Sequence, residues 1–300
     1  MPDVIAVVAD PGLATVQDHG RRGWTTVGVP VSGAWHRGRH RACVRLVDGS
    51  DGSAIELLAG HLSLEFERST TLAVVGPAQV QVDGRSAPIG ASIDVVAGSV
   101  VSVTHTGAGP VYVTVAGWTP ARVLGSASAD TFSGLGGGPL ARGDVLVGDP
   151  TGHPGAGAFV RDDEVDTASV RVMVREEGDW LSGPWHVTTS ARSGTRLRGG
   201  RVDSLAAMPS MPVVVGAIQA TPDAELVILG PDGGLTGGYP VVGVVVTADL
   251  DLISVRAPGD PVRFAAVTVE QAADAHRVRR QAGAVVRPDG LGQAGGVVPG

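Results

Sequence analysis

Two stretches of the chain concentrate groups that do chemistry. The first runs Gly12-Leu13-Ala14-Thr15-Val16-Gln17-Asp18-His19-Gly20-Arg21-Arg22-Gly23, followed by Gly28-Val29-Pro30-Val31-Ser32-Gly33-Ala34. Polar side chains set among glycines make a loop whose backbone approaches a ligand closely, and Asp18 and Arg21 offer opposite charges there. The plainer reading, which spacing alone favours, is that Asp18 and Arg21 form a structural ion pair fixing a tight turn. The second stretch is Gly216-Ala217-Ile218-Gln219, then Asp232-Gly233-Gly234-Leu235-Thr236-Gly237-Gly238-Tyr239-Pro240. The Gly237-Gly238 pair beside the Thr236 hydroxyl and Tyr239 phenol leaves backbone amides to meet an anion or carbonyl. Its plainer reading is a β-turn with Tyr239 as a core aromatic.

Other patterns exclude chemistries. No Gly-Lys-Ser/Thr follows the second stretch, so it is not a phosphate-binding Walker loop. Gly134-Leu135-Gly136-Gly137-Gly138 lacks the following helix and the later acid of a dinucleotide site. His36 and His40 are the one pair of histidines at helical i, i+4 spacing; with no third ligand evident they read as solvated polar residues, and no metal site is expected. No Gly-x-Ser-x-Gly elbow follows a strand, so a serine hydrolase is unsupported. Cys43 is the single cysteine. It excludes an internal disulfide and reads as a small buried apolar residue.

The elements that must position these groups are short Val-rich runs between Gly, Pro and Asp: Val4–Val8, Leu72–Val75, Val100–Thr104, Val111–Val115, Val170–Val174, Val213–Ile218, Glu225–Leu229 and Val241–Val246. Such β-branched runs between turn formers predict strands, and the chain reads as mainly β. Short helices are expected at His36–Leu46 and Val269–Val278. The Gly/Pro-rich stretch between Gly148 and Ala168 predicts a linker dividing an N-terminal lobe, 1–150, from a C-terminal lobe, 165–282, with a flexible tail over 283–300. The net charge is -7. Because the arginines are scattered rather than gathered in a stripe, nucleic acid is not an expected partner. No basic flank with an apolar run opens the sequence and no run of about 18 apolar residues occurs, so no membrane contact and a cytoplasmic location are expected.

Taken together with Ala54-Ile55-Glu56, Leu124-Gly125-Ser126-Ala127-Ser128-Ala129-Asp130, Gly143-Asp144, Arg192-Ser193-Gly194-Thr195-Arg196-Leu197 and Pro258-Gly259-Asp260, the two stretches resemble the KipA family. That family includes the C subunits of bacterial 5-oxoprolinases, is also called allophanate hydrolase subunit 2, and is related to the carboxyltransferase part of urea carboxylase. The resemblance spans Gly12 to about Ala275. It implies two cyclophilin-like β-barrel lobes around a cleft, a KipI-like B subunit and a third 5-oxoprolinase subunit as partners, and ATP as the complex's cofactor for opening 5-oxoproline to glutamate. It places Asp18, Arg21, Thr236 and Tyr239 in catalytic roles and Ser32, Gly33, Arg192, Arg196, Gln219, Gly237 and Gly238 in substrate binding. Two other roles belong to relatives of this kind: a carboxyltransferase component and a binding module that sequesters a KipI-like kinase inhibitor. Biotin would have to arrive on a partner's carrier, because the chain has no lysine. The chain departs from the family pattern where an acid usually stands at His36, at Cys43 and Asp48 in place of Asn, at Gly234-Leu235, and at Ala191.

Overall fold

The computed structural model describes residues 3–47, 52–150, 159–160, 169–175, 178–202, 208–281 and 285–286. In the first half, alternating apolar residues build two antiparallel sheets. One has the strand order Val145–Gly148, Asp3–Asp10, His61–Phe66, Val100–His105, Ala78–Val82, Arg85–Ala87. The other runs Leu13–Gln17, Ala54–Ala59, Val111–Val115, Thr70–Val75, Ser92–Val95. Their inward side chains, among them Ile5, Leu62, Leu64, Val103, Ile55, Leu72 and Val113, form one core. Each such side chain contributes about 1.5–3 kcal/mol on burial.

Strand Thr70–Val75 is buried on both faces. Leu72 and Val74 enter the core between the sheets, while Ala73 and Val75 pack under helix α1, Arg37–Leu46. The expected helix at His36–Leu46 is therefore present, with His36 as its N-cap: the His36 Nδ1 accepts from the Arg39 amide at 3.1 Å. Cys43 is fully buried under this helix, its thiol directed at the carbonyls of Ala73 and Tyr112, and burial pushes the thiol far above its ordinary range.

The second half forms one sheet in the order Pro261–Val262, Trp185–Ala191, Gly194–Arg198, Leu226–Leu229, Ala217–Ala220, Val241–Val245, Val170–Val174, Phe264–Ala266. Its two edge strands are consecutive in the chain, separated only by Arg263, so the sheet is a nearly closed barrel. Val172, Trp185, Leu197, Ile218, Ile228, Val245 and Phe264 fill it. The chain is mainly β, as its sequence indicates.

One expected strand is displaced. Regular structure over Val213–Ile218 begins only at Ala217, because Gly216 turns the chain at φ 86° and the Val213 amide donates to the Leu235 carbonyl. A Cβ at Gly216 would stand 2.9 Å from Leu250 Cδ2. α2, Leu250–Ser254, lies between the barrel strands Val241–Val245 and Pro261–Val262, and α3, Val269–Gln281, follows the last barrel strand and covers the second expected helix. A short pairing of Phe159–Val160 with Val285–Val286 falls within the expected linker and tail, most of which, like Asp48, lies outside the described residues. Among the described residues no helix is long and apolar enough to cross a membrane.

Candidate functional site

A cavity of about 700 Å³ opens between the two halves, against the loop from Asp18 to Ala34, one face of α1, the segment Thr247–Asp251 and His276 of α3. Arg37 and Arg41 are one helical turn apart on α1 and so share its cavity face. Arg22 joins them from the loop, and Val31, Val215 and Ala248 supply an apolar part of the wall.

Both carboxylates in the wall are already engaged. Asp18 accepts from the hydroxyls of Ser126 (2.7 Å) and Ser128, from the amides of Gly20 and Ala127 (both 2.8 Å), and from Arg122 at 3.2 Å. Burial by itself would raise this carboxyl, but the hydrogen bonds, led by the Ser128 and Ser126 hydroxyls, outweigh it and hold the group below the usual carboxylate range. Asp251 reaches from α2 across to the start of α1 and accepts from the amides of Arg37 (2.7 Å) and Gly38 (2.9 Å), where the helix presents its positive end. Three guanidinium groups thus border a space whose two acids are spoken for. The chemistry this favours is binding of an anion.

His40 lies at the same wall, only 1% exposed, with its ring edge-on to His19 (5.2 Å) and Tyr112 (5.4 Å). Its Nε2 is buried without a hydrogen-bond partner. Burial, reinforced by His19, pushes its pKa down to about 3, so the imidazole is neutral at ordinary pH. The expectation of a solvated histidine pair fails here. α1 lays its His40 face onto the sheet beside Tyr112, and His36 is a helix cap 3.5 Å from Asp251.

Of the residues expected at the site, Asp18, Ser32 and Gly33 line the cavity. Ser32 adopts φ 55° and donates to Asp130 at 2.8 Å. Gly33 adopts φ 88°, and a Cβ there would stand 2.9 Å from the Gly20 nitrogen. Arg21 is fully buried and does not pair with Asp18, whose ionic partner is Arg122. Arg21 Nε donates to the Val123 carbonyl (2.9 Å) and Nη2 to that of Ser128 (2.7 Å). Backbone carbonyls thus take the place of a carboxylate at two of the guanidinium nitrogens, and the third, Nη1, is buried without a hydrogen-bond partner among the described residues.

Arg192 is likewise committed. It forks onto Asp232 through Nε and Nη2, both at 2.7 Å, meets Glu56 through Nη1, and donates to the Gly33 carbonyl at 3.0 Å. Thr131 donates both amide (3.1 Å) and hydroxyl (2.6 Å) to Asp232, and the Tyr112 hydroxyl donates to Glu56 at 2.5 Å. Glu56, Gly33 and Thr131 belong to the first half and Arg192 and Asp232 to the second, so this buried network joins them. Burial works against the guanidinium's charge, but Glu56 and Asp232 overcome it and raise its pKa further.

The remaining expected residues lie outside the cavity wall. Arg196 pairs with Glu225 (3.3 Å) on an exposed strand face, beside Arg198. Gln219 Nε2 reaches the Tyr239 carbonyl at 3.5 Å and packs on Gly237, while Thr236–Gly237 pairs with Met211–Pro212 and the Gly238 carbonyl accepts from the Met208 amide. Tyr239 is 41% exposed, not a core aromatic. Sequence reasoning missed His19, Arg22, Arg37, Arg41, Asp251 and His276 as wall residues. The i, i+4 spacing of Arg37 with Arg41, in register with His36 and His40, is the signal that could have found two of them. Among the described residues no three His, Cys, Asp or Glu side chains are grouped to hold a metal ion.

A two-sheet half and a nearly closed barrel, clasped by a buried arginine, define a carboxyltransferase-type protein. Residues 27–266 match the family model for the carboxyltransferase domain, subdomain A and B, and the chain belongs to that family. It is 27% identical to the C subunit of 5-oxoprolinase from Escherichia coli (strain K12), covering 88% of this chain and 91% of that protein. The protein of the same name from Haemophilus influenzae is 26% identical over the same shares. Among solved structures, the K. lactis urea amidolyase superimposes with a TM-score of 0.81 at 25% identity, covering 94% of this chain and 20% of that one. This chain therefore spans about a fifth of the amidolyase.

Proposed function

We propose that the chain is the C subunit of an ATP-dependent 5-oxoprolinase, working with a KipI-like B subunit and a third protein to open 5-oxoproline to glutamate. The observation that carries this reading is the cavity in which Arg22, Arg37 and Arg41 face a space whose acids, Asp18 and Asp251, are already bonded. Likeness along most of its length to two proteins named as 5-oxoprolinase C subunits supports the assignment. The substrate's carboxylate suits these guanidinium groups. An unstrained lactam resists water until its carbonyl is activated. Phosphorylation of the carbonyl oxygen by ATP supplies that activation, and the cations offset the charge that accumulates. Asp18, Ser32 and Gly33 shape the binding surface; Arg21 and Arg192 hold its walls. Thr236, Tyr239 and Gln219 form a separate patch.

The test is glutamate release from 5-oxoproline and ATP by the full reconstituted set of subunits. Arg22→Ala and Arg37→Ala are expected to raise KM at least tenfold, the scale of one charge-assisted hydrogen bond. No glutamate from the complete set refutes the reading. A second reading, carboxyl transfer, is favoured by the family match and the likeness to urea amidolyase. It requires a biotinylated partner, since this chain offers no lysine, and is tested by carboxyl transfer from a carboxybiotinyl carrier to urea.

A further inference from the structure

Arg21, expected to do chemistry, is buried and serves as a hub. Its amide donates to the Val31 carbonyl (2.7 Å), closing the loop 22–30. Its guanidinium holds the turn at Val123, the Ser128 carbonyl, and lies so close to Gly136 that a Cβ there would stand 2.6 Å from Nη2. Three loops thus radiate from one residue. Each carries large apolar residues into solvent: Trp24 (40% exposed) and Val27 (69%) on the first, Val123 (40%) and Leu124 (41%) on the second, Phe132 (81%) on the third.

These side chains are held out by ordered backbone. Val27 and Val29 amides both donate to the Trp24 carbonyl. The turn bearing Phe132 is fixed by its own amide and that of Ser133 on the Asp130 carboxylate (3.1 and 2.6 Å). Leu124 sits at φ 52°, a conformation that costs a non-glycine residue energy. A water-facing surface seldom gathers such residues without a use, and aromatic side chains of this kind anchor interfaces.

We propose that Trp24, Val27, Val123, Leu124 and Phe132 form the seat of a different polypeptide, a partner protein with an apolar patch bordered by carboxylates. This rests on reading the chain as one member of a heteromeric complex. The charge pattern selects the occupant: across 20–29 and 121–137 Arg22 is exposed, Arg122 reaches the surface while paired with Asp18 at 3.2 Å, and the one acid, Asp130, is buried, in a chain of net charge -7. A second copy docking by a twofold axis would set these arginines against themselves. Because Arg22 also lines the cavity, the seated partner lies beside the cavity mouth.

The experiment measures the affinity of the purified chain for the purified KipI-like B subunit and third 5-oxoprolinase subunit of the proposed complex. Phe132→Asp and Trp24→Asp are expected to weaken binding at least ~30-fold, the size of an interface hot spot, with unchanged far-UV circular dichroism. Val269→Asp, on the exposed face of α3, leaves affinity unchanged, and added salt weakens the wild-type complex. If both loop variants bind as tightly as wild type, the seat is elsewhere while the heteromeric reading stands. If the wild-type chain binds none of those proteins, the heteromeric reading falls and the seat with it. If light scattering shows a homodimer that Phe132→Asp dissolves, the occupant is a second copy and the proposal is overturned.

Discussion

Burying His40 as a neutral imidazole should make stability fall as the solution is acidified. The folded group has a pKa of about 3 against an ordinary value of 6.5. A depressed histidine pKa means the unfolded chain takes up the proton first. The contribution is therefore complete above about pH 6.5 and is lost progressively as pH falls toward the folded value. At about 1.4 kcal/mol per pH unit of separation, moving from about pH 7.5 to about pH 5.5 costs between 1 and 2 kcal/mol. The neighbours that bear on His40 are His19 and Asp18, the backbone of Gln17 and Gly52, and the Tyr112 ring packed edge-on against it. His19 is also depressed, by burial first, and shifts stability in the same direction. The comparison is therefore made against His40→Gln, which keeps His19. Urea denaturation at the two pH values should show the wild-type advantage over the variant shrinking by that amount. A difference constant to within about 0.5 kcal/mol would refute a neutral, buried His40.

Arg192→Met should destabilise by about 3–5 kcal/mol, because it strands Glu56 and Asp232 as buried acids without their cation. Arg192→Lys should recover little of this, since an ammonium cannot fork; a urea midpoint within error of wild type for either variant contradicts the clasp. Gly33→Ala should cost about 1–3 kcal/mol through its positive φ and the 2.9 Å approach to Gly20. Gly23→Ala, with a similar φ of 89° but open space around its Cβ position, should cost only about 1 kcal/mol. Thermal unfolding of the pair tests this, and equal losses would remove the contact from the explanation.

The Val-rich strands and both longer helices were legible because each depends on a local pattern: Val111–Val115 is a largely β-branched run, and Ala42, Cys43 and Leu46 return at helical spacing. Less Val-rich strands such as His61–Phe66 were not, and Leu13–Gln17, read as part of a loop, is a strand paired with Ala54–Ala59. Side-chain roles in the site were not legible to the same extent. Arg21 and Arg192 stand in motifs that look like substrate clamps, and nothing in a linear pattern says that their fork is filled by Ser128, Val123, Glu56 or Asp232. Those partners lie about a hundred residues or more from Arg21 and Arg192, Asp232 excepted. His40 illustrates the same limit from the other side. A polar residue on a short helix reads as solvated until the sheet beneath the helix is known.

The start of α1 is capped from two separate parts of the chain. An acid at a helix N-cap satisfies the first amides and meets the positive end of the helix. His36 supplies only the first half of this, accepting from Arg39 through Nδ1. A carboxylate comes from Asp251 of α2, in the other half of the chain, which takes the Arg37 and Gly38 amides. The start of α1 is thereby a joint between the halves as well as a helix terminus. Arg37 springs from that joint into the cavity, so the residue proposed to hold an anion is positioned by the contact that helps hold the halves together. With the Asp251 carboxylate filling the helix terminus, an incoming anion is left to the guanidinium groups.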